Sequence, residues 1–249
     1  MKKLLILFFL LPLFTQAQIS LVGGKNIIKT NLTSYALNNY NITYERSVFK
    51  KCSFSIGFRY MPKTSLPIQS DIEKAIGNKD IKVQDFQMGN TAITPEFRIY
   101  FGLGKMKGFY IAPYARYASF DLHTPILYVD PSDASKRKEV LFDGTITSFS
   151  GGVLIGVQKQ IFKKFVLDIW IIGGHYGTSN GTLNGDFSKN PLPTQADIDN
   201  LNDKINDIKV NSGPFTFTGK VNSSTSATIS STGPWAGVRA LGLSFGLRF

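Results

Sequence analysis

The segment from Ala236 to Phe249 alternates apolar residues with small or polar ones, and this alternation restricts the possible folds more than any other feature. A two-residue repeat is typical of a β-strand that has one apolar face. The apolar parity holds Arg239, Leu241, Leu243, Phe245, Leu247 and Phe249, and the other holds Ala240, Gly242, Ser244, Gly246 and Arg248. In a soluble protein the apolar face meets a core, whereas in an outer-membrane strand it meets lipid and the polar face lines the lumen.

Earlier segments repeat this alternation and predict seven further strands, which begin near Ile28, Tyr40, Phe54, Phe97, Phe109, Val153 and Leu167. Short connections at Val48–Lys51, Gly104–Gly108 and Phe162–Phe165 alternate with mostly longer ones at Tyr35–Asn38, Thr64–Gly89, Asp121–Val140 and Thr178–Pro234. No stretch after residue 17 approaches the ~20 apolar residues of a membrane helix. The pattern therefore predicts an all-β, antiparallel up-and-down transmembrane β-barrel with short periplasmic turns and long extracellular loops.

The strand count depends on one Ser/Thr-rich region. Residues Phe215–Val221 and Asn222–Thr232 could form a hairpin, and if that hairpin entered the membrane the barrel would have ten strands. We predict eight, because few residues of this region are apolar enough to face lipid. A soluble lipocalin-like barrel is the structural alternative, and it requires the apolar parity to face inward.

The chain begins with a basic head and a short apolar run that predict export. Lys2 and Lys3 precede the run Leu4–Phe14, and Thr15-Gln16-Ala17 supplies the small residues of a cleavage site. The sequence predicts a signal peptide at residues 1–17, a barrel domain at residues 18–249 and a location in the bacterial cell outer membrane.

The charge balance and the cysteine count limit the partners. The formal net charge is +11 and stays positive without the signal peptide. In an exported chain this charge favours anionic lipid or lipopolysaccharide as a partner over nucleic acid. Cys52 is the only cysteine, so we expect no disulfide. No metal-ligand cluster is recognisable, and no cofactor is predicted.

Charged residues recur on the parity predicted to face the lumen. An eight-stranded barrel is just wide enough for side chains to fill, so charges there must pair. We predict a salt-bridge network that closes the lumen, and a narrow polar path or a bound anion is the alternative, because basic groups outnumber acidic ones. The predicted network comprises Lys29, Glu45, Arg59, Glu96, Arg98, Arg116, Asp168 and Arg248.

Three other local patterns predict helices or bear on enzymatic activity. Ser70–Glu73 and Thr194–Asp197 resemble helix capping boxes, and the second precedes Ile198, Leu201, Ile205 and Ile208 on one helical face. His175 is expected on the lipid-facing parity, a placement similar to that of the catalytic histidine of outer-membrane lipid A deacylases. Gly177 breaks the His-x-Ser pattern of those enzymes, and we predict that the chain is not an enzyme.

The stretch from Lys25 to Pro62 resembles the opening of small Bacteroidetes outer-membrane β-barrel proteins of unknown function, and the signal ending TQAQ and the terminal FGLRF are similar too. The architecture resembles barrels of the OmpA, OmpX and OmpW kind. The resemblance implies a fold and a location but no catalytic residues. We expect a structural or surface-binding role through the long loops, with an extracellular ligand, and the alternatives are a narrow passage for small solutes and a lipid A-modifying enzyme. The expected assembly signal for the outer-membrane assembly machinery is Leu243, Phe245, Leu247 and Phe249.

Overall fold

The computed structural model describes residues 24–65, 85–162, 164–206 and 216–249. The predicted signal peptide and the first capping box, at Ser70–Glu73, lie outside these ranges. Nine strands and two helices follow one another along the described chain, namely β1 (Asn26–Asn31), α1 (Leu32–Tyr35), β2 (Tyr40–Ser47), β3 (Cys52–Ser65), β4 (Gln87–Tyr100), β5 (Gly108–Asp130), β6 (Asp133–Ile161), β7 (Phe165–Asp186), α2 (Gln195–Asn206), β8 (Thr216–Ser223) and β9 (Ser226–Arg248). None of the described helices is long and apolar enough to cross a bilayer.

The sheet is a closed ring of eight antiparallel strands. Strands β1 to β7 pair in sequence order, β7 pairs with β9, and β9 returns to pair with β1 through Ile27 opposite Arg248 and Asn31 opposite Ser244. The prediction of eight strands in the ring is confirmed. Among the described strands, β8 pairs only with β9, so the predicted hairpin exists but adds no strand to the described ring.

The three short connections lie where the sequence predicts them. Strand β2 ends at Ser47 before β3 begins at Cys52, and comparable turns separate β4 from β5 and β6 from β7. Strand β1 begins and β9 ends at this end of the ring. Asn26 and Phe249 exchange backbone hydrogen bonds of 3.0 and 2.9 Å, and the Arg248 amide donates to the Lys164 carbonyl.

Two of the predicted long loops are wrong. Residues 121–140 form the continuous hairpin of β5 and β6, in which Val129 still faces Arg137. Residues 178–234 contain the end of β7, helix α2, strand β8 and the start of β9. Few outward residues of these segments are apolar, so a search for strands with an apolar outer face could not detect them.

The polarity of the two sheet faces inverts along β5, β6, β7 and β9. Nearer the short turns, the outward residues are apolar, as with Tyr117, Phe149 and Val153, each about half exposed. Farther from them, most outward residues are polar and most inward ones apolar, and the exceptions on the outer face are Leu127, Val129 and Leu141. The inversion lies at a row of polar residues that are paired across the four strands, Ser119, Thr147, Asn180 and Thr232.

We call this row the boundary row, and we call residues 119–147, 180–206 and 216–232 the extension. The extension has its own hydrophobic core. Leu201 and Ile205 of α2 are fully buried against the inner face of the sheet, and each such side chain contributes about 1.5–3 kcal/mol by its removal from water. The core also contains Ile126, Tyr128, Val140, Phe142, Leu183, Phe187, Leu192, Val221, Ala227 and Ile229.

Helix α2 begins at the second predicted capping box and covers the edge strand β8. The Thr194 hydroxyl accepts a hydrogen bond from the Asp197 amide at 3.2 Å, which is the capping geometry that the sequence predicts. The Asn202 and Asn206 side chains accept from the backbone amides of Val221 and Gly219, both at 3.2 Å. These contacts satisfy edge-strand donors that have no strand partner there.

Candidate functional site

Lys29 lies at the centre of the charge network inside the ring. Its ammonium donates to Glu45 Oε2, Gln158 Oε1 and Asp168 Oδ2, each at 2.6 Å. All three donors of the group are thereby used. Because Lys29, Glu45 and Asp168 are almost completely buried, the carboxylates replace the water that the ammonium gave up.

Arg98 joins this cluster to a third carboxylate. Its guanidinium is fully buried and lies 2.7 Å from Asp168 Oδ2 and 2.6 Å from Glu96 Oε2. Removing one partner from such a buried network leaves an uncompensated charge, which costs about 3–5 kcal/mol. The network therefore holds several strands of the ring in one arrangement.

Tyrosine hydroxyls satisfy the remaining carboxylate oxygens. Tyr100 donates to Glu45 Oε1 at 2.5 Å, and Tyr110 donates to Asp168 Oδ1 at 2.7 Å. The Tyr110 ring also lies under the Arg98 guanidinium, 4.6 Å from its carbon. A Cβ on Gly156 would stand 2.5 Å from the Tyr110 ring, so this glycine makes room for the network.

The eight charges predicted for the lumen fall into three groups. Lys29, Glu45, Glu96, Arg98 and Asp168 form the network described above. The other three lie elsewhere: Arg59 and Arg116 line a cavity farther from the short turns, and Arg248 bonds to the Gly24 carbonyl and to Gln160 at the end of the ring.

Arg239 belongs to the interior although the alternation predicts it on the outward face. Its guanidinium bonds to Glu96 Oε1 at 3.0 Å and lies over the rings of Tyr114 and Trp170. The backbone explains the error, because Leu241 has a positive φ of 51° and Ala240 and Leu241 both face outward. This outward bulge of the backbone keeps β9 in register with β7 but reverses the parity of the strand, and strict alternation cannot reveal it.

His175 is also inside the ring, contrary to its predicted lipid-facing position. Its Nδ1 lies 3.1 Å from the Tyr114 hydroxyl, and the two rings meet edge to face. The cause is a second irregularity, where Ile171 and Ile172 of β7 both face outward and the register with β6 shifts. Gly237 leaves space for the imidazole, since a Cβ there would stand 2.6 Å from the ring.

A cavity of about 370 Å³ lies beside the network at the level of α1. Arg59, Arg116 and Arg239 line it, together with Glu96 and Trp170. Arg59 donates to Asn39 at 2.6 Å and Arg116 to Thr94 at 3.1 Å, and both acceptors are neutral. We call this space the arginine cavity. It contains more positive than negative charge, unlike the network beneath it.

A second concavity, of about 650 Å³, lies on the extension between the β5–β6 hairpin and residues 186–193. Beside it, Lys138 bridges Asp130 and Asp197 at 3.3 and 2.8 Å. Burial opposes ionisation of Asp197, but hydrogen bonds from Lys138 and Thr194 outweigh it and lower the pKa of this carboxyl. Burial, with the negative charge of Asp197, raises the pKa of Tyr128 to about 12. We call this space the extension groove.

In the part of the chain that the structure describes, no three His, Cys, Asp or Glu side chains form a group that could hold a metal ion. Cys52 is a free thiol there. The predicted assembly-signal residues lie at the closure of the ring, with Phe245 and Leu247 outward and Phe245 stacked on Phe165.

These features define a class of protein: an antiparallel sheet that forms an eight-stranded ring, with ion pairs inside and apolar residues outside. The chain belongs to a family described as protein of unknown function DUF3575, whose family model matches residues 4–185. The match ends near the end of β7 and so leaves out α2, β8 and β9. Comparisons with curated proteins and with solved structures found no match.

Proposed function

We propose that this protein is an integral outer-membrane β-barrel whose extension stands outside the cell and has a surface-binding or structural role. The inversion of polarity at the boundary row carries this proposal. Below the row lipid would contact the apolar outer face, and above it water would contact the polar outer face. A strand whose outer face changes from apolar to polar along its length matches lipid at one end and water at the other.

The outward apolar residues below the boundary row support a lipid environment. They encircle the ring and would form a far larger exposed apolar patch than the few hundred Å² that is usual in soluble monomers. We call them the apolar belt. It includes Ile28, Ile42, Phe54, Ile56, Phe58, Ile93, Phe97, Ile99, Phe149, Val153, Ile169, Ile171, Val238, Phe245 and Leu247, each more than a third exposed.

The two ends of the ring support an orientation. Phe49, Phe101 and Phe162 are exposed in the short turns, where aromatic rings suit a membrane interface. Strand β1 begins and β9 ends here, so we assign this end to the periplasm, where the assembly machinery would meet the final strand. The extension then faces the lipopolysaccharide and the medium.

The charge network favours a closed interior over the passage of solutes. Lys29 has no free donor, and the Arg98 guanidinium fills the space between Glu96 and Asp168. Opening a path would require separating buried ions, which is costly. We therefore expect no single-channel conductance from the purified protein in planar bilayers.

The extension groove is the concavity that we assign to a surface ligand. The Lys138 and Lys189 side chains and Pro191 line it beside an apolar floor that includes Val140 and Leu192. Mixed apolar and charged lining of this kind suits an extracellular polymer or peptide. No enzymatic activity is proposed, and His175 inside the ring lacks the outer position that a lipid A deacylase would require.

Labelling of intact cells tests the proposed location and orientation. In a Cys52→Ser background, Ser132→Cys at the exposed tip of the β5–β6 hairpin should react with an impermeant maleimide. Lys105→Cys in the β4–β5 turn is the matched control, and it should react only after the outer membrane is permeabilised. Equal labelling of both in intact cells, or recovery of the protein in the soluble fraction, would contradict the proposal.

A further inference from the structure

We propose that the arginine cavity binds the phosphate or carboxylate group of an anionic amphiphile, which enters sideways between β9 and the short β1–β2 hairpin. The observations that carry this are a charge imbalance, a gap in strand pairing and an apolar rim. The identification of the amphiphile as a membrane lipid rests on the proposed function, whereas the anion site itself does not.

The charge imbalance concerns the three arginines. Neither Arg59 nor Arg116 has an ion-pair partner in the described part of the chain, and Glu96, the acidic residue that lines the cavity, is already shared by Arg98 and Arg239. The guanidiniums of Arg59, Arg116 and Arg239 repel one another, and because Arg116 is largely buried, water screens this repulsion only weakly. Like charges held together away from water are unfavourable without a counter-ion.

Arginine also fits the proposed ligand by its shape. The planar guanidinium offers parallel N–H donors that match the oxygens of a phosphate or carboxylate. Among the described residues, Arg59 and Arg116 each have one side-chain hydrogen bond to a protein acceptor, so most of their donors remain for a ligand. Trp170 on the cavity wall adds a buried indole N–H that has no acceptor among the described residues.

The gap in strand pairing gives the cavity a side entrance. On one edge of β9, pairing with β1 stops at Ser244, and pairing with β8 does not begin until Thr232. Between these positions no described strand pairs with that edge. The β1–β2 hairpin does not extend along this part of β9, because α1 turns the chain after Asn31.

The rim of the entrance is apolar. Val238 and Leu241 are 75% and 79% exposed, and Leu37 of the β1–β2 hairpin faces the same cavity at 43%. The bulge that turns Arg239 inward is also what leaves Leu241 outward. A cationic interior behind an apolar rim complements a molecule with an anionic head and a hydrocarbon tail, because each part then meets its matching surface.

The binding test uses the full-length mature protein in a zwitterionic detergent, with the Tm measured against two probes. The probes are inorganic phosphate and phosphatidic acid doped into the micelles, and phosphatidylcholine serves as the neutral lipid. We expect both anions to raise the Tm and phosphatidic acid to act at a concentration about tenfold lower, because the rim contributes apolar contact. No shift with either anion, or an equal shift with phosphatidylcholine, would overturn the proposal.

Variants separate a binding role from a structural one. Arg116→Gln should raise the Tm of the unliganded protein, since it removes a repulsion, and should weaken anion binding roughly tenfold. Arg137→Gln removes the same charge from the exposed β5–β6 hairpin and should leave binding unchanged. Unaltered phosphate affinity in Arg116→Gln, or an equal loss in Arg137→Gln, would contradict the site.

The rim is tested independently of the arginines. Val238→Asn should weaken phosphatidic acid binding and leave phosphate binding at the wild-type value, because only the tail contacts Val238. An equal effect on both probes would contradict sideways entry of an amphiphile. These measurements are made in detergent, so their failure is distinguishable from a failure of the cell-labelling test.

Discussion

The ring below the boundary row and the extension above it share four strands but differ in the polarity of their faces. In the ring, the ions of Lys29, Arg98 and Asp168 lie in the interior, beside a cluster of buried tyrosines and aliphatic residues, while apolar side chains face outward. In the extension, Leu201 and Ile205 fill the interior while Thr145 and Asn180 face outward. The polarity of the outer face therefore sets the polarity of the interior, because a strand with an apolar outer face has only its inner face for polar groups.

The largest effect is expected inside the ring. Asp168→Ala removes an acceptor of Lys29, Arg98 and Tyr110 and leaves two buried cations poorly compensated. The free energy of unfolding should fall by about 3–5 kcal/mol. Urea unfolding of the refolded protein in detergent measures this loss.

The matched control for that change is Asp121→Ala on the outer face of the extension, where the carboxylate accepts from Thr145 in an exposed position. It should change stability by about 0.5 kcal/mol or less. Similar losses at both positions would remove the distinction between a charged core and a charged surface.

A local effect is expected in the apolar core of the extension. Leu201→Ala deletes a fully buried side chain under the sheet and should cost the extension about 2–5 kcal/mol, while the ring network stays intact. Limited proteolysis should then cleave within α2 and leave a protected ring fragment. Cooperative loss of both regions would show that they form one folding unit.

The third prediction concerns the outer faces. Val153→Lys places a charge in the apolar belt and should destabilise the protein in bilayers by about 2–4 kcal/mol. Thr145→Lys, on the same face of β6 but within the extension, should cost close to nothing. Folding yield in lipid vesicles, compared between the two variants, measures the difference, and equal yields would contradict a lipid boundary between them.

The smallest effect is a pH dependence confined to the extension. The pKa of Asp197 is lowered in the folded protein, so its contacts with Lys138 and Thr194 stabilise the extension above the unfolded pKa of about 3.9. That contribution is lost as the pH falls through the folded value. Asp197→Asn should reduce the acid sensitivity of the extension, monitored by an acid-active protease at about pH 2 to 5, and an unchanged pH profile would show that other groups cause it.

Much of the ring could be predicted from sequence, because its outward apolar residues follow a two-residue repeat. That repeat located the three short turns, the eight ring strands and the inward parity of Lys29, Glu45 and Arg98. It failed at Arg239 and His175, where bulges beside Leu241 and Ile171 reverse the parity without a mark in the composition. A one-residue irregularity transfers every later side chain to the opposite face.

The extension could be predicted only in part. The capping box at Thr194 and the spacing of Leu201 and Ile205 predicted α2, since both are local signals. The long hairpins were missed because their outward residues are polar and their apolar parity faces inward, the reverse of the pattern sought. The pairing of Asn202 with β8 depends on contacts between distant segments, which no local pattern contains.

The most direct test of the boundary row is a spin-label scan along the outer face of β6. Labels at Val157, Val153, Phe149, Thr147 and Thr145 in the Cys52→Ser protein, reconstituted in vesicles, are compared for collision with oxygen and with a water-soluble nickel complex. We predict that labels from Val157 to Phe149 collide mainly with oxygen and that the label at Thr145 collides mainly with the nickel complex. Uniform nickel accessibility along the whole series would mean that the apolar belt faces water, and it would contradict the account.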